Sequence, residues 1–189
     1  MEKSITYISI LRGINVSGHR IIKMDALKKL CADLKFKNVQ TFIQSGNIIF
    51  NFKKNHTGKI SQLLKTAIEK IFGFDVPVAT CTISELENII QSNPFINDTI
   101  KDQSFLHVTF LSGIPATGKM DALKQLNFQP DDFIEIGNVI YLYCPGGYGN
   151  TKLTNNFFEN KLKLTATTRN WKTINELLKM AKNKVEKKM

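Results

Sequence analysis

The sequence predicts an α+β fold made of two ferredoxin-like subdomains of βαββαβ type, related by internal duplication. Three ordered matches between the halves predict it. Leu11-Arg12-Gly13-Ile14 returns as Leu111-Ser112-Gly113-Ile114. The hexapeptide KMDALK at residues 23–28 returns unchanged at residues 119–124. Phe42-Ile43-Gln44-Ser45-Gly46-Asn47-Ile48-Ile49 returns as Phe133-Ile134-Glu135-Ile136-Gly137-Asn138-Val139-Ile140. The copies lie 100, 96 and 91 residues apart, so loops shorten while the order holds.

Each element has its own signal. Residues 5–12 (ITYISILR) are rich in β-branched residues and alternate in part, which predicts a strand. A loop over 13–23 follows. Met24, Leu27, Leu30 and Leu34 recur at three- and four-residue steps, which predicts an amphipathic helix over 24–34. Residues 39–43 and 47–52 read as a strand pair around a tight turn, with Gly46 able to take positive φ and a Gly-Asn pair expected to serve the turn in both copies. Ile60, Leu63, Leu64, Ala67, Ile68 and Ile71 mark a second helix, and residues 76–81 a fourth strand.

The second copy is joined to the first by residues 83–104. There Ser84 with Glu87 forms a capping box, Leu86, Ile89 and Ile90 give an apolar face, and Asn93-Pro94 ends the helix. The chain closes with a helix from about Trp171 to Val185, its stripe being Trp171, Ile174, Leu177, Leu178, Ala181 and Val185, with Asn170 or Thr173 as cap. The expected organisation is a first subdomain over 1–82, a linker helix and loop over 83–104, and a second subdomain with the C-terminal helix over 105–189.

Composition narrows the function classes. No apolar run approaches the roughly 20 residues of a membrane helix, and the short apolar stretch 5–11 is no signal-peptide core, so a cytoplasmic location without membrane contact is expected. Cys31, Cys81 and Cys144 form no C-x-x-C pair, and no two of His19, His56 and His107 lie at helical ligand spacing, so neither a metal nor a cofactor is expected. The net charge is +10. Residues 1–82 hold 13 basic and 5 acidic side chains, residues 83–150 hold 3 and 8, and residues 151–189 hold 10 and 3. That pattern suits a polyanionic partner or mutually attracting lobes; a solvated lysine-rich surface is the plainer account.

Several motifs invite chemistry. Gly113 to Lys119 fits most of a phosphate-binding loop, but Met120 stands where a magnesium-binding hydroxyl belongs and Pro115 removes a loop N–H. Inherited turn geometry explains it better. Pro145-Gly146-Gly147-Tyr148-Gly149-Asn150 precedes a helix expected near Thr151, so Gly147, Gly149 and Lys152 are placed to hold an anion at a helix start. In Thr167-Thr168-Arg169-Asn170-Trp171, Arg169 offers a fork for carboxylate or phosphate and Trp171 a stacking face, while Thr168 and Asn170 suit caps. Arg12, Asn15, Gln44, Ser45 and Asn47 are polar groups at strand ends, where function concentrates. Ser45 and Cys144 lack an activating partner, so no catalytic residue is assigned.

Leu11-Arg-Gly-Ile-Asn-Val16, Gln44-Ser-Gly-Asn47, the glycine-rich loop with Lys152-Leu153, and Thr167-Thr-Arg-Asn-Trp171 resemble the bacterial domain-of-unknown-function family 1697 over nearly the whole chain. The resemblance implies two α+β, ferredoxin-like subdomains and no established activity. The sequence departs at Ser17, where the family usually carries a second glycine. Together these residues lead us to expect a binding module for an anionic small molecule or nucleic acid, with Arg12, Asn15, Gln44, Ser45, Asn47, Gly147, Gly149, Lys152, Thr168, Arg169, Asn170 and Trp171 gathered between the lobes. An enzyme acting on a small phosphorylated or carboxylated metabolite is the alternative, and an interaction protein without ligand the third.

Overall fold

The computed structural model describes residues 4–16 and 18–186, with side chains as far as Lys184. Ser17, and Val185 as part of the last helix's stripe, lie outside that description. The first half runs β1 (Ser4–Leu11), α1 (Met24–Asp33), β2 (Lys37–Phe42), β3 (Asn47–Lys53), α2 (Thr57–Phe72) and β4 (Val78–Thr82). The second runs β5 (Leu106–Leu111), α4 (Thr117–Lys124), β6 (Asp132–Ile136), β7 (Val139–Tyr143), α5 (Asn155–Leu162) and β8 (Ala166–Asn170). Between them lies α3 (Ile83–Gln91), and α6 (Trp171–Glu186) follows β8. The sheets have strand orders β2-β3-β1-β4 and β6-β7-β5-β8, the same antiparallel ferredoxin-like arrangement twice. The fold is α+β with two similar subdomains, as duplication predicts. No helix among the described residues is long and apolar enough to cross a membrane.

The chain divides into two compact units. One comprises residues 1–88 and 176–189, the other residues 89–175, so α3 and α6 each span a boundary.

In the first unit Tyr7, Leu11, Ile48 and Phe50 bury one sheet face with Leu27 and Leu30 of α1 and Ile60, Leu64 and Ile68 of α2. Leu63 and Ile71 of the predicted apolar set are exposed instead. Phe36 stacks on Phe50 at 4.1 Å, and the Tyr7 hydroxyl donates to the Asn55 carbonyl at 3.0 Å. The other face is also buried, through Ile8, Ile10 and Ile49. Lys184, near the end of α6, donates to the carbonyls of Asn38 and Ile49. A buried lysine at the end of an otherwise apolar stripe was not legible in the sequence.

In the second unit Leu111, Ile140 and Leu142 pack under Met120 and Leu123 of α4 and Phe158 and Leu162 of α5. Val108, Phe110 and Tyr141 are buried on the opposite face, where the Tyr141 hydroxyl donates to the Ile89 carbonyl at 2.8 Å.

Three local expectations are corrected. The capping box of α3 is Thr82 with Glu85: Thr82 Oγ1 accepts from Glu85 N at 3.2 Å, and Glu85 Oε2 accepts from Thr82 N at 2.7 Å. Ser84 lies inside the helix, and Glu87 pairs with Lys182. The Gly-Asn pairs do different work. Gly137 (φ +63°) and Asn138 are themselves the two-residue turn between β6 and β7, but Gly46 ends a four-residue turn and Asn47 opens β3. The helix expected near Thr151 starts at Asn155, with Thr154 Oγ1 accepting from Phe157 N at 3.2 Å.

Candidate functional site

The candidate residues form two groups, one in each unit. The first is at the end of β1. There Leu11 N donates to Gly46 O at 2.8 Å, which sets the end of β1 against the β2–β3 turn, and Arg12 N donates to Pro77 O at 2.9 Å, just before β4. Gly46 has φ +79°, and a Cβ on it would fall 2.7 Å from Ile14 Cδ1 and 2.8 Å from Leu11 Cβ. The contact between the two motifs therefore depends on the missing side chain. Asn15 fastens the same junction: its Nδ2 donates to Ile22 O at 3.0 Å and Gln44 O at 2.8 Å, and its Oδ1 accepts from Ile22 N at 2.8 Å. Buried Asn47 donates to Phe42 O and Ser45 Oγ, each at 3.1 Å, which holds the turn.

Asn15 thus spends its amide on the backbone, and Asn47 divides its own between a carbonyl and the Ser45 hydroxyl. The loop is shaped by left-handed residues: Gly13 (φ +67°), Asn15 (+56°), Gly18 (+77°) and Arg20 (+48°). Strain of this kind at non-glycine residues persists only where surrounding bonds enforce it. Helix α1 then opens after Lys23 with no side-chain cap, and its first turn carries Asp25, which pairs with Lys28 at 3.6 Å. Residues 12–23 and 43–46 contain Arg12, Arg20 and Lys23 and no carboxylate. The half-buried Arg12 was read from sequence; the exposed Arg20 and Lys23 were missed as site residues, though their charge and closeness to the loop glycines were a signal.

The second group is mostly structural. Thr168 is buried in β8, sharing a 2.7 Å hydrogen bond with Thr109 and donating to Asn155 Oδ1 at 2.7 Å. It is a strand residue and no cap. Asn170 does cap α6, its Oδ1 accepting from Thr173 N at 2.8 Å, and Trp171 is buried. The glycine-rich loop closes on itself: Gly147 (φ +84°) donates to Cys144 O at 2.9 Å, and Asn150 Nδ2 to Gly146 O at 2.7 Å. With α5 starting at Asn155, neither Gly147 nor Gly149 adjoins a helix N-terminus, and Lys152 is exposed before it. Lys119, the lysine of the phosphate-loop-like stretch, donates to the Leu162 carbonyl at 3.2 Å.

Arg169 is half-buried, with Nη1 donating to Thr168 O at 2.9 Å. Burial pushes its pKa down to about 10, against an opposing effect of Tyr148. The Tyr148 ring stacks on His107 at 4.9 Å, and His107 Nδ1 lies 3.1 Å from the Phe105 carbonyl. Burial holds His107 below its usual pKa of 6.5. Sequence reasoning missed this grouping, because nothing in spacing joins positions 107, 148 and 169. All three cysteines are buried; burial raises Cys144 to about 11 and Cys31 to about 12, well away from nucleophilic thiolates. Among the described residues no three His, Cys, Asp or Glu side chains gather as a metal site.

The family model described as Protein of unknown function (DUF1697) matches residues 5–141. The chain belongs to that family. Most of the matched DUF1697 segment lies in the first unit and the first three strands of the second sheet. No curated protein matches the chain. Among solved structures, the conserved bacterial protein SP0830 from Streptococcus pneumoniae is similar, with a TM-score of 0.73 at 19% identity, over 95% of this chain and 99% of that one. At that identity the likeness concerns the fold alone.

Proposed function

We propose that this DUF1697 protein binds a small anionic ligand at the β1–α1 loop of its first unit. The observation that carries the reading is the uncapped start of α1 after Arg20 and Lys23, following a loop and adjoining turn free of carboxylates, with the first-turn Asp25 paired to Lys28. Free N–H groups and partial positive charge at a helix start favour phosphate or carboxylate, and the two cations add to that field. Arg12 belongs to the same basic end. Asn15, Gln44, Ser45 and Asn47 act as positioning residues that hold the loop in shape. The division of charge supports the reading: the first unit has 18 basic against 9 acidic side chains, the second 8 against 7.

A small ligand is favoured over single-stranded nucleic acid. Ferredoxin-like RNA readers stack bases on an exposed sheet face. Here Tyr7 and Phe50 on one face of the first sheet and Ile8 and Ile49 on the other are all buried.

A second reading, an enzyme acting on a phosphorylated or carboxylated metabolite, is favoured by the grouping of His107, Tyr148 and Arg169 in the second unit. Arg169 would hold the anion, and His107 would exchange the proton. Thr168, Asn170 and Trp171 would keep that arginine in place, and Gly147, Gly149 and Lys152 would form the rim.

Thermal unfolding with inorganic phosphate, pyrophosphate and small carboxylates, at low and high salt, tests both readings. The first expects the wild-type Tm to rise with one of these anions and the rise to fade with salt. The double variant R20A/K23A should lose the rise while keeping its ligand-free Tm. A rise lost in Arg169→Ala but kept in R20A/K23A would move the site to the second unit. No rise with any anion would overturn the proposal.

A further inference from the structure

The two sheets have equivalent edge strands, β2 and β6, and the molecule treats them differently. Strand β2 has a register break between Lys37 and Gln40, with Asn38 at φ +53° and an exposed lysine at its start. Bulges and edge lysines are the usual means of stopping a strand from recruiting another. Strand β6 has no bulge and no lysine, and its charges are Asp132 and Glu135. Its register with β7 is unbroken over all five residues, DFIEI, with no proline or lysine, and it leaves Ile134 37% and Ile136 45% exposed.

From this contrast we infer that β6 is a dimerisation edge, pairing antiparallel with β6 of a second copy about a two-fold axis through Ile134. The register follows from backbone geometry. The two-residue turn closes on the pair Ile136:Val139, which exchanges its hydrogen bonds within the hairpin. Alternation then makes Ile134 and Asp132 face β7 as well, so the N–H and C=O of Phe133 and Glu135 point outward. No other backbone group among the described residues bonds to either. A two-fold axis at Ile134 sets Phe133 opposite Glu135 of the second copy, and Glu135 opposite Phe133, as hydrogen-bonded pairs. Ile134 then meets its own counterpart in the closer, non-hydrogen-bonded type of pair, and Asp132 meets Ile136.

Charge selects the occupant. In this register no like charges face each other, whereas parallel in-register pairing would set Asp132 against Asp132 and Glu135 against Glu135. A basic foreign strand is not called for either. Asp132 is paired with Lys101 at 3.2 Å and Glu135 with Lys124 at 3.4 Å within the unit, so the edge is already neutralised. A second copy satisfies the exposed isoleucines and the open backbone groups with one symmetric surface.

Sedimentation equilibrium of the full chain, followed by cross-linking, tests the pairing. The wild type should run at twice the chain mass of 21.4 kDa, and Ile134→Lys, which sets like charges across the axis, at the single mass. Under mild oxidation Ile134→Cys should form a covalent dimer, because the paired Cα atoms would lie about 4.5 Å apart. Ile136→Cys should not, since its counterparts sit about 13 Å apart along the strands. The native cysteines are buried and will not interfere. A wild type that stays at the single mass at every concentration would overturn the inference. So would cross-linking of Ile136→Cys as readily as of Ile134→Cys.

Discussion

Gly46 is the residue on which the first unit's motif junction turns. Its left-handed φ and the two close contacts awaiting a Cβ act together, since an alanine there would be strained and would press on Ile14 and Leu11. Gly46→Ala should cost about 1–3 kcal/mol, from backbone strain plus overpacking. Urea unfolding will measure it, and a loss below a few tenths would show that the junction is slack. Gly137 lacks any atom within 4 Å of the same position, so a matching change there meets only the φ term. The sequence made Gly46 legible as a turn glycine. It did not disclose the close approach of Leu11 and Ile14, because a steric contact between residues more than thirty positions apart has no local pattern. Asn15 and Asn47 were legible as special polar residues for the same limited reason: their type shows, but the carbonyls they bind do not.

At the scale of elements, periodicity in the first copy and the repeat in the second located most helices and strands, β8 excepted, and local chemistry misplaced several ends. The start of α3 is an instance. Both Thr82…Glu85 and Ser84…Glu87 fit the capping-box pattern, and strand pairing decides between them, because β4 continues along β1 as far as Thr82. Thr82→Ala should therefore lower stability by about 1 kcal/mol, and Ser84→Ala by much less. Equal losses in the two variants, read from the same unfolding curves, would contradict the assignment. The repeated hexapeptide teaches a similar lesson. In the first copy KMDALK opens a ten-residue helix, and in the second it closes an eight-residue one. What the copies share is the buried pair Leu27 and Leu123, with Met24 and Met120 one turn before. Hydrophobic spacing survives duplication, while caps are rebuilt by whatever loop precedes them.

For the molecule as a whole, the duplication was readable because it repeats in order. The C-terminal helix looked like part of the second copy because it follows it in sequence. Its last turns belong to the first unit, where Lys184 reaches the carbonyls of Asn38 and Ile49. Lys184→Met keeps the length of the stem and removes the donor. It should destabilise by about 1–3 kcal/mol, since two carbonyls lose a charged partner in a buried setting. An unchanged midpoint would mean that water serves those carbonyls equally well. The candidate anion loop is the least legible part of the molecule. Its cations and glycines could be seen, but the open helix start beside them depends on Lys23 giving no cap, a matter of conformation.

The bond from Lys184 to Asn38 joins residues 146 positions apart. During synthesis the first four strands leave the ribosome long before that lysine is made. The opening half must then wait, with the carbonyls of Asn38 and Ile49 wet, until α6 is made. Long-range closure of this sort is slow to form. A chain cut just before Lys184 would carry both sheets and still lack the latch of the first.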